Sequence, residues 1–388
     1  MNRSHKVTGP LLAERFNSSD IKQLLVDDGA PLSQLEVDLE DAWGIEHGEI
    51  DLVAGGPPCQ GFSGISFRRS YSVDKVDLPS NHLFQDMAYV VGRLRPKMFL
   101  FENVRGLLSA KWDEGGVQRK IWDRVYEAFD DIEDYTISWS LVRAADYGVP
   151  QNRPRVLLVG IRDDIALEAR WSKTDEKNLE LPAHGLLPSP SGSPAPDLID
   201  VLGDLVDLEE SNWKGGVTDS YPSPARKGIQ ADWFRRTLDD AVTRKGSPLT
   251  EHEYSNHSVR VRDKFQAMID SSGEIPESMK TKKFAQRLLP KRWGEDGPTI
   301  TATSLPDDYV HFEQPRSLSV REWARLQTFP DWYQFAGKRT TGGIRRAGNP
   351  RAGIHDRELP KYTQIGNSVP VFLAKAVGLH FKNLLAGH

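Results

Sequence analysis

The sequence contains a single cysteine, Cys59, among 388 residues. One cysteine can form neither an internal disulfide nor a cysteine-rich zinc site. The chain also lacks an apolar run of about 18 residues, the length that a membrane-spanning helix requires. No apolar core follows the first residues, which argues against a secretory signal peptide. We therefore expect a cytoplasmic protein that does not contact the membrane.

An overall excess of basic residues is absent too, since the formal net charge is −5. For nucleic-acid binding, however, the distribution of charge matters more than its sum. Residues 338–361 contain seven lysines and arginines against two acidic residues, whereas residues 27–51 contain nine acidic residues. The basic stretch can contact phosphate, or it can be a charged loop in solvent. Charge alone does not distinguish these two interpretations.

Three short apolar runs predict strands of a buried parallel sheet, at residues 50–54, 98–101 and 156–161. Between the first two runs, residues 83–94 have apolar side chains at steps of three and four, and Pro96 follows them. This pattern predicts a helix. A strand, a helix and a second strand in this order are typical of an α/β domain.

The composition changes after the third run. Five prolines with serine and glycine between residues 181 and 196 indicate a linker. A short helix is predicted over 198–205, with Asp197 as its N-cap. Residues 209–292 are polar and weakly periodic, which predicts a smaller domain of irregular structure. Residues 362–370 are interpreted as a turn that leads into a final helix.

Cys59 directly follows Pro57 and Pro58 at the predicted C-terminal end of the first strand. In α/β sheets, this end of the strands carries the active site. The two prolines restrict the backbone and make the turn rigid. A lone cysteine is more often a small buried apolar residue than a nucleophile, so this motif alone leaves both interpretations open.

Three further motifs contain residues that can take part in catalysis. Glu102 stands at the end of the second predicted strand. It can donate a proton beside the cysteine, or it can be a negative charge at the start of a helix with no catalytic role. Arg153 and Arg155 stand two positions apart in an extended segment, so they point to one face and can bind a carbonyl, carboxylate or phosphate. The segment 366–370, Gly-Asn-Ser-Val-Pro, precedes the final helix and can also be only a cap.

Together and in this order, these motifs resemble the cytosine-5 DNA methyltransferase family. The stretch Arg316–Pro330 adds to the resemblance, since it is similar to the helix that precedes the last motif of that family. The fold implied is an α/β, Rossmann-like S-adenosylmethionine-dependent methyltransferase domain, with a smaller irregular target-recognition domain. The resemblance places the catalytic domain at residues 1–165, completed by residues 360–388. Residues 166–359 then form the target-recognition domain and its connections.

The resemblance also implies a role for each motif residue. Cys59 matches the thiolate that adds to C6 of the target cytosine, which must be flipped out of the duplex. Glu102 matches the residue that engages N3 of the base. Arg153 and Arg155 match the pair near the pyrimidine O2 and the thiol. Residues expected to contact S-adenosylmethionine are Asp38, Pro58, Leu83, Asn367 and Ser368.

One departure from the family pattern lies near the start of the sequence. The family opens with a glycine-rich Phe-x-Gly-x-Gly segment that holds the cofactor, and residues 1–50 contain no match to it. Three explanations stay open: a start further upstream, a second polypeptide that supplies the missing strands, or an inactive remnant that binds DNA. We therefore expect an N-terminally incomplete catalytic domain whose activity as a single chain is undecided.

The expected substrate is double-stranded DNA of a specific sequence, in a bacterial restriction-modification system. A tRNA cytosine-5 methyltransferase is the alternative enzyme, and the long segment 163–293 argues for the DNA substrate instead. Glu251, His252, Glu253 and His257 lack the spacing of metal ligands, so we interpret them as a polar loop and expect no metal.

Overall fold

The computed structural model describes residues 48–57, 82–114, 117–280, 286–292, 298–299, 308–340 and 359–386. The chain divides into two compact units. Unit 1 comprises residues 1–140, 156–186 and 385–388, and unit 2 comprises residues 141–155 and 187–384. No helix in these described ranges is long and apolar enough to cross a membrane.

The elements before residue 170 lie in unit 1, except that the last residues of β5 and the first residues of β6 lie in unit 2. They are β1 (Leu52–Gly55), α1 (Leu83–Leu94), β2 (Met98–Val104), β3 (Lys111–Glu114), β4 (Val117–Lys120), α2 (Ile121–Asp130), β5 (Tyr135–Arg143), β6 (Pro154–Arg162) and α3 (Asp163–Glu168). Among the described residues, four strands form one sheet in the order β1-β2-β6-β5. Strands β1 and β2 are parallel, and β3 pairs with β4 in a separate antiparallel ribbon. The predicted strands and the helix at 83–94 are confirmed, whereas β5 was not predicted.

Aromatic side chains fill the core of unit 1. Phe99 of β2 stacks on Phe129 of α2 with ring centroids 5.2 Å apart, and Phe101 lies 5.3 Å from the same ring. A Cβ at Gly160 of β6 would overlap the Phe99 ring, so only glycine fits at that position. Because these strands are buried, their sequences are continuous apolar runs rather than alternating ones.

Helix α1 places apolar residues on one face at steps of three and four. Phe84, Met87, Val91 and Leu94 are buried on this face. The helix ends where Arg95 adopts a left-handed conformation, with φ of 47°. Since the following residue is a proline, the chain cannot continue as a helix beyond this point.

The elements after residue 187 belong to unit 2. They are α4 (Leu198–Leu202), α5 (Glu210–Trp213), α6 (Val259–Asp270), β7 (Arg287–Leu288), β8 (Tyr309–Val310), α7 (Val320–Leu326), α8 (Lys361–Asn367) and α9 (Val371–Leu385). A 3₁₀ turn, Gly203–Leu205, continues α4, and Gln230–Phe234 form one turn of π-helix. The helices predicted after Asp197 and Pro370 are present, although the Asp197 side chain makes no capping hydrogen bond.

In unit 2, one sequence-based interpretation is wrong and another holds only in part. The segment before the final helix is not a turn from residue 362, because α8 extends from Lys361 to Asn367 and only Ser368–Pro370 separate it from α9. The segment 209–292 is also not irregular throughout, since α6 contributes twelve helical residues. In α6, Phe265 and Met268 are buried against Val310. Tertiary packing of this kind stabilises a helix whose own periodicity is weak.

Helix α7 lies at the centre of the unit 2 core, with all seven of its residues buried. Ser319 and Glu322 form a capping box at its N-terminus: each side chain accepts a hydrogen bond from the other residue's backbone N–H. Trp323 and Leu326 pack in the apolar cluster that also includes residues of α4. The helix therefore carries charged residues into a buried environment, where each needs a partner.

Candidate active site

The described part of the chain includes the end of β1 and the two residues that follow it, Gly56 and Pro57. Three residues singled out in the sequence, Asp38, Pro58 and Cys59, lie outside the described residues. The site is therefore described from the segments that lead to Cys59 and from the other motif residues.

Glu102 and Asn103, at the end of β2, contact the backbone that leads to Cys59. A Cβ built on Gly56 would lie 3.0 Å from Oε2 of Glu102, so the missing side chain of Gly56 leaves room for the carboxylate. The Asn103 side chain is buried, and its Nδ2 donates to the Pro57 carbonyl over 3.0 Å. The half-buried carboxylate of Glu102 thus lies beside the chain three residues before Cys59.

Leu83 is the first residue of α1 and is half-buried. Its neighbours Phe84 and Met87 point into the core of unit 1. The Met87 thioether packs against Gly55, where a Cβ would approach the sulfur to 2.7 Å. The start of α1 is therefore fixed against the end of β1, which leads into the cysteine segment.

Arg153, in unit 2, is buried and supports the turn between α8 and α9. Its Nη2 donates to the carbonyls of Gly366 (2.6 Å) and Ser368 (3.1 Å), on either side of Asn367. Arg155 is buried as well, and its Nη1 donates to the Pro154 carbonyl over 2.9 Å. A guanidinium that bonds two carbonyls of one turn fixes the shape of that turn.

Two glutamines complete the contacts of this turn. Gln327 donates through Nε2 to the carbonyls of Ile365 (2.8 Å) and Ser368 (3.2 Å). Gln151 donates to Oε1 of Gln327 over 2.7 Å. Sequence reasoning assigned neither glutamine a role, although both stand inside motifs that it identified, Gln-Asn-Arg-Pro-Arg and Arg316–Pro330.

The turn itself presents a polar side chain to solvent. Asn367 is exposed, and within the described ranges its side chain makes no hydrogen bond, whereas Ser368 Oγ donates to the Ile365 carbonyl over 2.7 Å. An amide can both donate and accept hydrogen bonds. The turn thus leaves the Asn367 amide available to a polar ligand.

The histidines that were considered as metal ligands have other partners. His252 is buried, with Nδ1 2.7 Å from Ser319 Oγ and Nε2 2.9 Å from the Leu205 carbonyl. His257 Nε2 lies 2.9 Å from Ser317 Oγ. The described residues contain no group of three or more histidine, cysteine or acidic side chains that could hold a metal ion.

Burial lowers the pKa of His252 to about 4 and that of a second buried histidine, His311, to about 3. Unfolding returns both to a pKa near 6.5. Between about pH 6.5 and 4 the unfolded chain therefore binds protons that the folded chain does not. We expect the free energy of unfolding to fall by about 1.4 kcal/mol per pH unit for each histidine as the pH decreases through this window.

Urea denaturation at pH 7, 6 and 5 measures this effect. The variant His252→Asn is expected to be less stable at pH 7 but to lose less stability on acidification, because one of the two titrating groups is gone. Equal stability of the unsubstituted chain at pH 7 and pH 5 would contradict the prediction.

Comparisons with known proteins identify the family. The model of C-5 cytosine-specific DNA methylases matches residues 31–383. The Type II methyltransferase M.DdeI of Desulfomicrobium norvegicum is 31% identical over 354 residues, which cover 87% of this chain and 74% of the relative. M.XorII of Xanthomonas oryzae pv. oryzae is 32% identical over 351 residues, covering 86% and 68%. The chain belongs to the C-5 cytosine-specific DNA methylase family.

The fold agrees with that of a solved structure. An E. coli prophage-encoded protein, described as a DNA modification methyltransferase, superimposes with a TM-score of 0.57 at 23% sequence identity. The match covers 95% of this chain and 85% of the other. The expected Rossmann-like methyltransferase fold is thereby confirmed. Proteins of this family use S-adenosylmethionine as methyl donor, which agrees with the cofactor expected from the sequence.

Proposed function

We propose that this chain transfers a methyl group from S-adenosylmethionine to C5 of a flipped cytosine in double-stranded DNA of a specific sequence. The observation that carries the proposal is the position of Glu102, whose carboxylate lies against Gly56 in the segment that leads to Cys59. Family membership supports the same reaction. The names of the relatives, Type II methyltransferases, support a role in a bacterial restriction-modification system in the cytoplasm.

The chemistry follows from the weak nucleophilicity of cytosine C5. The Cys59 thiolate adds to C6 and converts C5 into an enamine carbon. When bound, S-adenosylmethionine would supply an electrophilic methyl group, whose bond to the sulfonium sulfur would break as C5 bonds to it, with the thioether S-adenosylhomocysteine as the leaving group. Loss of the C5 proton and departure of the thiolate from C6 then restore the aromatic ring. Glu102 hydrogen-bonds N3 and stabilises the charge that develops when the thiolate adds.

We assign Arg153 and Arg155 as the pair of residues that lies near the pyrimidine O2 and the thiol during the reaction. A guanidinium stays charged and presents several donors in a fixed plane, which suits a carbonyl oxygen whose negative charge increases during the reaction. For Arg153, the bonds to the Gly366 and Ser368 carbonyls support a second task, that of holding the turn around Asn367.

Five residues are assigned to the cofactor: Asp38, Pro58, Leu83, Asn367 and Ser368. The catalytic domain is assigned to residues 1–165 with 360–388, and target recognition to residues 166–359. Within the latter, arginine, asparagine or glutamine side chains are expected to read base edges in the major groove. The comparisons do not support a second polypeptide, and we assign the reaction to this chain.

The proposal is tested by incubating the chain with isotopically labelled S-adenosylmethionine and unmethylated bacterial DNA. The expected result is label in 5-methylcytosine at one recurring sequence, located by bisulfite sequencing. Label in tRNA with none in DNA, or no label transfer at all, contradicts the proposal.

Replacement of Glu102 by glutamine tests its assigned role. We expect kcat to fall by about 10²- to 10³-fold, since the amide can hydrogen-bond N3 but cannot transfer a proton to it, and the charge that develops on the base is then less well stabilised. Affinity for DNA is expected to change little. The measurement is steady-state methyl transfer, with Glu127→Gln on the exposed face of α2 as matched control. An equal effect of the two substitutions would exclude Glu102 from the reaction.

A further inference from the structure

Trp233 connects the expected target-recognition segment to the motif at the start of the final helix. It belongs to the π-helical turn Gln230–Phe234, and its Nε1 donates to the Thr328 carbonyl over 2.8 Å. Its ring meets the Phe372 ring edge-on at 4.9 Å, and the Lys375 ammonium lies 5.0 Å from its centre. Single turns of π-helix are rare and occur frequently at functional sites.

Thr328, the acceptor of this bond, has a strained backbone. Its φ is +58°, a conformation that a β-branched residue seldom adopts. The residue is fully buried, and its Oγ1 accepts from the Phe372 N–H over 3.0 Å. The bonds from Trp233 and Phe372 add to those that Thr328 itself donates to the Arg325 and Gln327 carbonyls, and together they stabilise this conformation.

Gln327, the residue before this strained position, holds the turn that carries Asn367. Its backbone carbonyl accepts from Val371 N over 3.1 Å, while its side chain donates to the Ile365 and Ser368 carbonyls. Gln151 fixes the orientation of the amide, because its Nε2 faces the Gln327 oxygen. A change of φ at residue 328 would redirect Gln327 and remove these bonds from the turn.

We propose that Trp233 and Gln327 are positioning residues, which couple the target-recognition segment to the turn that binds the cofactor. The connection consists of short contacts in unit 2: Trp233 to Thr328, Thr328 to Gln327 through the chain, and Gln327 to Ser368. The inference rests on the proposed function, because it takes Asn367 and Ser368 as cofactor contacts. It adds that a residue of the recognition segment sets the cofactor affinity without touching the cofactor.

Trp233→Phe tests the coupling, because it keeps an aromatic ring and removes the N–H donor together with the second ring of the indole. Trp171→Phe is the matched control: Trp171 is also half-buried, and its Nε1 donates to the His184 carbonyl over 2.9 Å in unit 1. Each substitution removes one indole hydrogen bond of nearly equal length. A purely structural role therefore predicts similar losses of stability and no difference in cofactor binding.

The readouts are calorimetric titration of the full chain with S-adenosylmethionine, thermal unfolding, and the separate KM and kcat values. For Trp233→Phe we expect the cofactor Kd and KM to rise about fivefold, while kcat and the KM for DNA change less than twofold. Gln327→Glu, which removes the donors to both carbonyls, is expected to raise the cofactor Kd at least as much. Trp171→Phe is expected to leave the cofactor Kd unchanged.

The Asn367→Ala variant separates the two ways in which the proposal can be wrong. If it weakens cofactor binding while Trp233→Phe behaves like Trp171→Phe, the coupling is refuted and the proposed function stands. If Asn367→Ala binds the cofactor as tightly as the unsubstituted chain, the assignment of the turn is wrong and the coupling with it.

Discussion

Replacement of Cys59 by alanine is expected to lower methyl transfer by at least about four orders of magnitude. Without addition of a thiolate to C6, C5 of cytosine lacks the electron density to accept a methyl group. No other thiol can substitute, because Cys59 is the only cysteine of the chain. For the same reason, a thiol-alkylating reagent is expected to abolish activity with a stoichiometry of one per chain.

The measurement is a single-turnover methylation assay with the unsubstituted chain and the alanine variant. Equal thermal unfolding midpoints and equal DNA affinities serve as controls that the variant folds and binds. Residual activity within tenfold of the unsubstituted chain would mean that the reaction does not use a cysteine nucleophile.

The second large effect concerns stability. Arg325 of α7 is fully buried between two carboxylates: Nη1 lies 2.5 Å from Asp204 Oδ1, and Nη2 lies 2.6 Å from Asp331 Oδ2. These carboxylates and hydrogen bonds hold the pKa of Arg325 well above its usual value, despite the opposing effect of burial. Arg325→Met is expected to lower the free energy of unfolding by about 3–5 kcal/mol, because it leaves buried negative charge without this partner.

Urea denaturation at neutral pH measures the loss. The matched control is Arg236→Met, since Arg236 pairs with Asp240 at 2.5 Å at an exposed position where a salt bridge contributes little. We expect the control to change stability far less than Arg325→Met does. Equal effects of the buried and exposed substitutions would contradict this description of the α7 environment.

The sequence allowed part of the fold to be predicted, for physical reasons that differ between elements. Strands β2 and β6 were recognised because burial on both faces requires continuous apolar runs, and β1 was recognised from a similar apolar run although its residues are half-buried or exposed. Strand β5 was not, since Tyr135–Arg143 alternates apolar and polar residues and lies at an end of the described sheet. Helix α8 was interpreted as a turn because it contains Thr363 and Gly366, which have low helix propensity.

The candidate site could also be predicted only in part. Glu102 and Arg153 were identifiable because they stand in recognisable motifs, and the structure adds their contacts with Gly56 and with the Asn367 turn. The partners of that turn were not predictable. Gln151 and Gln327 are 176 positions apart, and Trp233 and Thr328 are 95 apart. Residue type and local spacing carry no information about pairs at such separations.

The most direct test of the Cys59 nucleophile is covalent trapping on DNA that contains 5-fluorocytosine. Fluorine at C5 blocks loss of the C5 substituent after methyl transfer, so the thiolate cannot leave C6. With S-adenosylmethionine present, we predict an adduct of one DNA per chain that resists denaturation, and mass spectrometry of its peptides should place the modification on Cys59. The Cys59→Ala variant should form none. An adduct on another residue, or an undiminished adduct with the alanine variant, would contradict the assignment of Cys59 as the nucleophile.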